Sequence, residues 1–448
     1  MSPVPGRPDS EPGAHRPPRG PVAAFALTTT AGYGVLFYSF GVLLVPMQHS
    51  LGWSRSFLSG AFSAGLVVSA LLTVPVGRWL DRRPARPLFL GAGTAAAVLV
   101  AAWAASGSRL VFAAVWVGLG ACQAVLFYDA AFVVLAKRYR GQERNAAITT
   151  VTLLAGLAST IFAPAVAGLD AALGWRGAVG CLAGLTALVC LPAFALGLRP
   201  SQPRSAEPPP VADAPHHSVL PRQALAEPSF WLLTAAYVLS AVTTFGVAVH
   251  LVPFLKARGM STAAAAMVLG AVGLVQVLGR SCFIKLSARR PTVRVATWVL
   301  AAKGVGLVAL LAIGGPPGLV VFFVAVYGSA NGIATLTRAT TVAEMYGPSH
   351  YGAIAGVIAS LSGLAGALAP YGVAVGAGWA GGDRPVFFAL AALSVLAAGV
   401  NHLAAQASTR AGEGIIRDPA VMPTAGAYDA AVLPGGVGPA PRPLAEPT

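Results

Sequence analysis

Few side chains in this sequence can do charge chemistry inside otherwise apolar stretches, and they mark where function is to be sought. Asp129 is the one acid well inside such a stretch; a carboxyl there can take up and release a proton as its surroundings change. Its bland reading is a structural partner for a nearby Arg or a helix end. Arg338 follows Asn331 and Thr335 at helical spacing, so the three share a face. A guanidinium presents a planar fork that matches a carboxylate, which makes this face a candidate anion site. Arg338 can equally be an inner gate or a topological anchor. A salt bridge between Asp129 and Arg338 that opens during a cycle would join both readings. Gln123 occupies the place in the first half of the chain that Asn331 holds in the second.

Tyr237, Ser240 and Thr244 share a helical face, with Thr243 and His250 on the neighbouring one. Such residues either line a cavity or bond adjacent helices. His250 titrates in the range a proton-driven process needs, although it stands near a segment end, just before Pro253. Tyr33, Phe37 and Tyr38 either flank a small organic solute or pack as an interface belt. Arg280 follows Gly279 next to a basic stretch, and Lys303 sits in the middle of an apolar segment with no assigned role. Cys122, Cys181, Cys190 and Cys282 have no metal-type spacing and read as small hydrophobes. No metal or cofactor is expected.

The elements that position these residues follow from composition. The chain has 448 residues, 56% hydrophobic and 10% charged, with a formal charge of +15. Soluble domains carry about 25% charged residues, so the solvent implied is hydrocarbon. A crossing helix needs about 20 mainly apolar residues. Twelve segments qualify: 22–47, 57–80, 87–106, 109–136, 144–169, 174–197, 229–255, 261–285, 291–313, 317–341, 350–378 and 384–405. The expected fold is an all-α membrane protein of twelve transmembrane helices in two pseudosymmetric six-helix bundles, 22–198 and 229–405, equal in length. A disordered cytoplasmic tail over 1–21, a cytoplasmic linker over 199–228 containing Pro208-Pro209-Pro210, and a disordered cytoplasmic tail over 406–448 complete the organisation.

Placing the basic residues on alternate sides puts most of the 30 Lys and Arg on the side of the termini, leaving Arg55, Arg109, Arg176, Lys256, Arg258 and Arg384 opposite. Both termini are therefore expected in the cytoplasm, with the chain in the plasma membrane. The charge reports topology, and no nucleic-acid partner is implied. The sequence holds no H-E-x-x-H, no phosphate-binding loop motif and no soluble segment long enough for a nucleotide domain, so neither an enzyme nor an ATP-driven pump is expected.

Between the second and third segments the sequence reads Gly77-Arg78-Trp79-Leu80-Asp81-Arg82-Arg83-Pro84-Ala85-Arg86. This resembles the loop signature of the major facilitator superfamily, with Gly77, Asp81, Arg82 and Arg86 in place. Tyr38-Ser39-Phe40-Gly41-Val42, Leu51-Gly52-Trp53-Ser54-Arg55-Ser56 and Gly174-Trp175-Arg176 resemble the monocarboxylate porter and oxalate/formate branch. The resemblance implies a carrier that alternates access around a cavity framed by segments one, four, seven and ten. Asp129 is then a candidate protonation site, and Gly77, Asp81, Arg82, Arg86 and Arg280 form a candidate cytoplasmic gate. A proton-coupled carrier of a monocarboxylate-like anion, working as a monomer in the lipid bilayer, is the resulting expectation. Ala163-Pro164-Ala165-Val166-Ala167-Gly168 partly matches the drug-antiporter motif, which keeps efflux of hydrophobic compounds as an alternative. A transporter-like sensor or a membrane enzyme is a more remote one.

Overall fold

In a bilayer every backbone N–H and C=O must be satisfied within the protein, and long apolar segments do this by becoming helices. The computed structural model describes residues 19–139, 141–199, 220–287, 290–311, 318–346 and 351–417. Its crossing helices are α1 (Gly20–Leu51), α2 (Arg55–Arg82), α3 (Ala85–Ala105), α4 (Arg109–Arg138), α5 and α6 within Ala146–Gly197, α7 (Pro228–Lys256), α8 (Thr262–Ser287), α9 (Thr292–Leu311), α10 (Gly318–Tyr346), α11 (Tyr351–Trp379) and α12 (Asp383–Arg417). Among the described residues, eleven continuous helices are long and apolar enough to cross a membrane. One of these, Ala146–Gly197, runs for 52 residues and is broken where Gly174 adopts φ 68°. That length serves two crossings, so the expected twelve are present as α5 before Gly174 and α6 from it.

Local signals set the ends. Gly52, at φ 65°, closes α1 in the left-handed conformation that glycine tolerates. Ser54 then caps α2 by accepting from the Phe57 N–H at 3.2 Å, and Ser108 caps α4 from Val111 at 3.3 Å. Three sequence boundaries shift. The first helix already begins at Gly20, Pro221–Ala226 forms a helical turn inside the expected linker, and the last helix continues to Arg417. The rest of the two tails and residues 200–219 of the linker lie outside the described residues.

Two six-helix bundles face each other, and their seam runs along α1 with α7, α2 with α11, and α5 with α8. Glycines set the closest approaches within and between them. The missing side chain of Gly120 on α4 would meet the Gly65 carbonyl of α2, and that of Gly332 on α10 would meet the Gln276 carbonyl of α8. The two bundles thus use the same helix pair, fourth on second and tenth on eighth, at glycine contacts. Gly120→Val is expected to destabilise the protein by about 2 kcal/mol, because backbone lies where the new side chain must go. Gly180→Val, at a position with nothing within 4 Å, should be neutral. Thermal melts of the two variants in the same detergent check this difference.

Candidate functional site

Two helix irregularities shape the centre of the molecule. In α1, Gly34–Tyr38 form a π-turn, a geometry that rotates side chains away from the α-helical stripe. In α4, Phe127 is extended at φ −86°, ψ −177°, which splits the helix so that Tyr128 and Asp129 open its second half. The two breaks bring Tyr33 over Phe127, stacked at 4.0 Å, and beside Tyr128 at 4.7 Å. Helix α7 closes the opposite wall, where Phe245 meets Phe37 edge-on at 5.5 Å.

Between the bundles these walls enclose a cavity of about 460 Å³. That volume suits a small organic molecule. Among the described residues, the lining carries Asp129, Arg280 and Arg338 as its only charged side chains, together with Tyr33, Tyr38 and Tyr128. Asn331, Thr335 and Arg338 lie on its α10 wall, as their spacing predicts, and Thr335 and Arg338 are solvent-exposed within it. Asp129 is likewise exposed to the cavity, in the first turn of a half-helix whose N-terminal dipole favours an anion. Arg338 is near enough for its charge to act on Asp129, yet the two form no ion pair within 4 Å. The expected bridge is therefore open in this conformation.

Arg280 is placed differently from its expected role in a cytoplasmic gate. It is 7% exposed and lines the cavity, where its Nη1 donates to the Thr152 carbonyl at 2.8 Å across the seam between α8 and α5. Its charge acts on the phenols of Tyr33, Tyr38 and Tyr128. Among the described residues no carboxylate pairs with it, and its buried Nε has no hydrogen-bond partner. An N–H buried without an acceptor costs free energy, so this fork has a direction in which a ligand oxygen would be welcome. Gln276, one helical turn before Arg280, joins it on the cavity wall.

Three other expected site residues are structural. Gln123 is fully buried and donates to the Leu36 carbonyl at 3.0 Å, holding the π-turn of α1 in place. Tyr237 packs with Phe230, Val342 and Tyr346 away from the cavity. His250 is buried at the end of the bundle opposite the chain termini. Its Nδ1 accepts from Arg55, at 2.6 Å from Nη2 and 3.2 Å from Nε, while Nε2 donates to the Pro370 carbonyl at 2.8 Å. Both ring nitrogens are thus engaged in a neutral ring. Arg55 also pairs with Asp383 at 2.6 Å, with both side chains largely shielded. Arg55 is on α2 and the other three residues are on α7, α11 and α12, so this cluster latches the two bundles together at that end.

At the end nearer the termini, Asp81 pairs with Lys137 at 2.9 Å, and the lysine also donates to the Leu80 carbonyl at 2.6 Å. These contacts stay inside the first bundle. Arg82 and Arg86 are exposed, and Gly77 has open space where a side chain would lie.

Tyr128, Phe127 and Gln276 are cavity residues that sequence spacing did not single out. The adjacency of Tyr128 to Asp129 and the one-turn spacing of Gln276 from Arg280 were the available signals.

The sequence matches the family model described as Major Facilitator Superfamily over residues 25–370. No curated protein matches it significantly. Among solved structures, a bacterial homolog of the human lysosomal transporter Spinster, inward-facing and occupied, is similar at TM-score 0.66 and 17% identity, over 86% of this chain and 96% of that one. The nucleoside transporter NupG, as a point mutant, is similar at TM-score 0.70 and 13% identity, over 86% of this chain and 98% of that one.

Proposed function

The chain belongs to the major facilitator superfamily, and on that premise we propose that it carries a small monocarboxylate-like anion across the plasma membrane by proton-coupled alternating access. Membership makes it a multi-pass membrane transporter of a small solute and not an enzyme. The observation that carries the anion reading is Arg280: a guanidinium on the cavity wall with no carboxylate partner and a buried Nε that lacks an acceptor. With Arg338 also on the wall, the cavity holds two fixed positive charges against one carboxyl, and an incoming carboxylate balances that excess. The aromatic rings of Tyr33, Tyr128 and Phe127 supply contact for an apolar solute body.

Asp129, the one acid on the wall, is the proton site in this reading. When it is protonated, Arg338 is free to engage substrate. When it is ionised, it competes for the same guanidinium. The Arg55–His250–Asp383 cluster is the outer latch, and Asp81–Lys137, nearer the cytoplasmic termini, belongs to the inner gate. The basic bias of that side supports this orientation. The protein works as a monomer and needs no cofactor beyond the gradient.

Uptake of labelled lactate, pyruvate and phenylacetate into proteoliposomes tests the proposal. Uptake is expected to rise when an inward proton gradient is imposed and to collapse when a protonophore dissipates it. If no acid is carried under either condition, the anion reading fails. The aromatic walls also suit hydrophobic compounds, and gradient-driven extrusion of a dye without acid uptake would establish the efflux alternative instead.

A further inference from the structure

Lys303 on α9 is fully buried and has no carboxylate partner among the described residues, so insertion or a structural ion pair gives no account of it. An intramembrane charge of this kind is costly, and its neighbours indicate what it serves. An ammonium has three N–H donors. Three acceptors surround this one: the Thr244 Oγ1 at 2.7 Å, the Ser240 Oγ at 3.1 Å and the Ser240 carbonyl at 3.4 Å. All three belong to α7. The single Thr244 hydroxyl proton reaches two acceptors, the Ser240 carbonyl at 2.8 Å and the Asn331 Oδ1 at 3.1 Å. Thr244 and Asn331 both line the central cavity, whereas Lys303 does not. With the hydroxyl proton turned to Asn331, the donors run one way, from ammonium to hydroxyl to amide oxygen. This arrangement leaves the Asn331 Nδ2 as a donor with no partner among the described residues.

From this chain of bonds we infer that Lys303 is a positioning residue for anion selectivity, acting on the solute through Thr244 and Asn331. A chain of hydrogen bonds polarises its members in one direction, more so where the local dielectric is low. The amide N–H at its end is therefore a stronger donor to a carboxylate than an isolated asparagine. Lys303 also lies 5.8 Å from the ring centre of Tyr327, a cavity residue, so the ring helps hold the ammonium at the cavity edge. The inference rests on the anion reading above and adds a residue that never touches the solute.

Phenylacetate and its neutral amide, phenylacetamide, are the probes, with the full chain in proteoliposomes. Lys303→Met keeps length and apolar volume but removes the charge. It is expected to raise the apparent KM for phenylacetate by about tenfold or more, with the maximal rate retained. The inhibition constant of phenylacetamide as a competitor should stay unchanged. Thr244→Val keeps the lysine and cuts the chain, and should shift KM in the same direction. It decides the question if Lys303→Met does not fold. A merely structural role would instead lower the maximal rate with KM unchanged, or weaken both probes alike, and either result overturns the inference. Wild-type protein that takes up no monocarboxylate at all removes the anion reading and this inference together. Wild-type uptake with unaltered KM in both variants removes only the inference.

Discussion

Arg280→Ala is expected to reduce monocarboxylate uptake on the order of a hundredfold while the protein still folds and inserts. Removing one partner of a shielded, hydrogen-bonded charge pair costs roughly 3 kcal/mol, and that corresponds to about this factor. The folded protein loses less, because Arg280 is held by the Thr152 carbonyl and the Tyr128 phenol and, among the described residues, has no carboxylate to leave stranded. Arg280→Lys separates charge from geometry. It keeps the positive charge but not the fork whose Nε is open, and so should recover part of the uptake and not all of it. Uptake rates normalised to protein inserted, with a thermal melt for each variant, are the measurement. Full activity of Arg280→Ala would show that the solute is held elsewhere and would leave Arg338 as the sole cavity cation to consider.

Arg55→Ala is expected to shift the conformational balance away from the state seen here. Arg55 is the only residue of the first bundle in the latch with His250, Asp383 and Pro370, so its loss releases the other bundle at that end and leaves the Asp383 carboxylate shielded without its partner. A penalty of about 2 kcal/mol on the latched state changes the ratio of the two states roughly 30-fold. Ser63 reports the change. It is buried at the α2–α11 seam, where its Oγ accepts from the Tyr371 N–H at 3.2 Å. A cysteine at position 63, in a chain whose four native cysteines are replaced by serine, should react slowly with an impermeant maleimide added from outside. Arg55→Ala should speed that reaction, and Arg55→Lys, which can still reach Asp383, should do so less. Equal labelling in all three would mean that the cluster does not hold the bundles closed.

Some residues declared their position in sequence because helical spacing is a local property. Asn331, Thr335 and Arg338 do share a cavity-facing stripe, and Tyr33 and Tyr38 do line the same space. Others did not, and the physical reasons differ. Gln123 mirrors Asn331 in the duplicated halves, but the π-turn in α1 presents a carbonyl that takes its amide, so it faces away from the cavity. His250 has the right chemistry for proton coupling and yet spends both ring nitrogens on the seam. Arg280 sits beside a basic stretch, which suggested a gate, and the crossing of α8 with α5 turns it inward to Thr152.

What the sequence determined by itself is what depends on composition and period. Ten per cent charge in a chain 56% hydrophobic dictates a bilayer, apolar runs of crossing length dictate the helices, and the motif around Asp81 points to the family. What only the tertiary structure decided is which polar groups meet. The breaks at Phe127 and Gly34–Tyr38 rotate side chains off the helical period, and the seam pairs residues hundreds of positions apart, as Arg55 with Asp383. Whether a buried charge is an orphan, a latch or the head of a relay depends on neighbours supplied by other helices, and no local pattern records them. Lys303 is the clearest case: conspicuous in its own segment but without a role there, it acquires a direction only through the α7 and α10 side chains packed beside it.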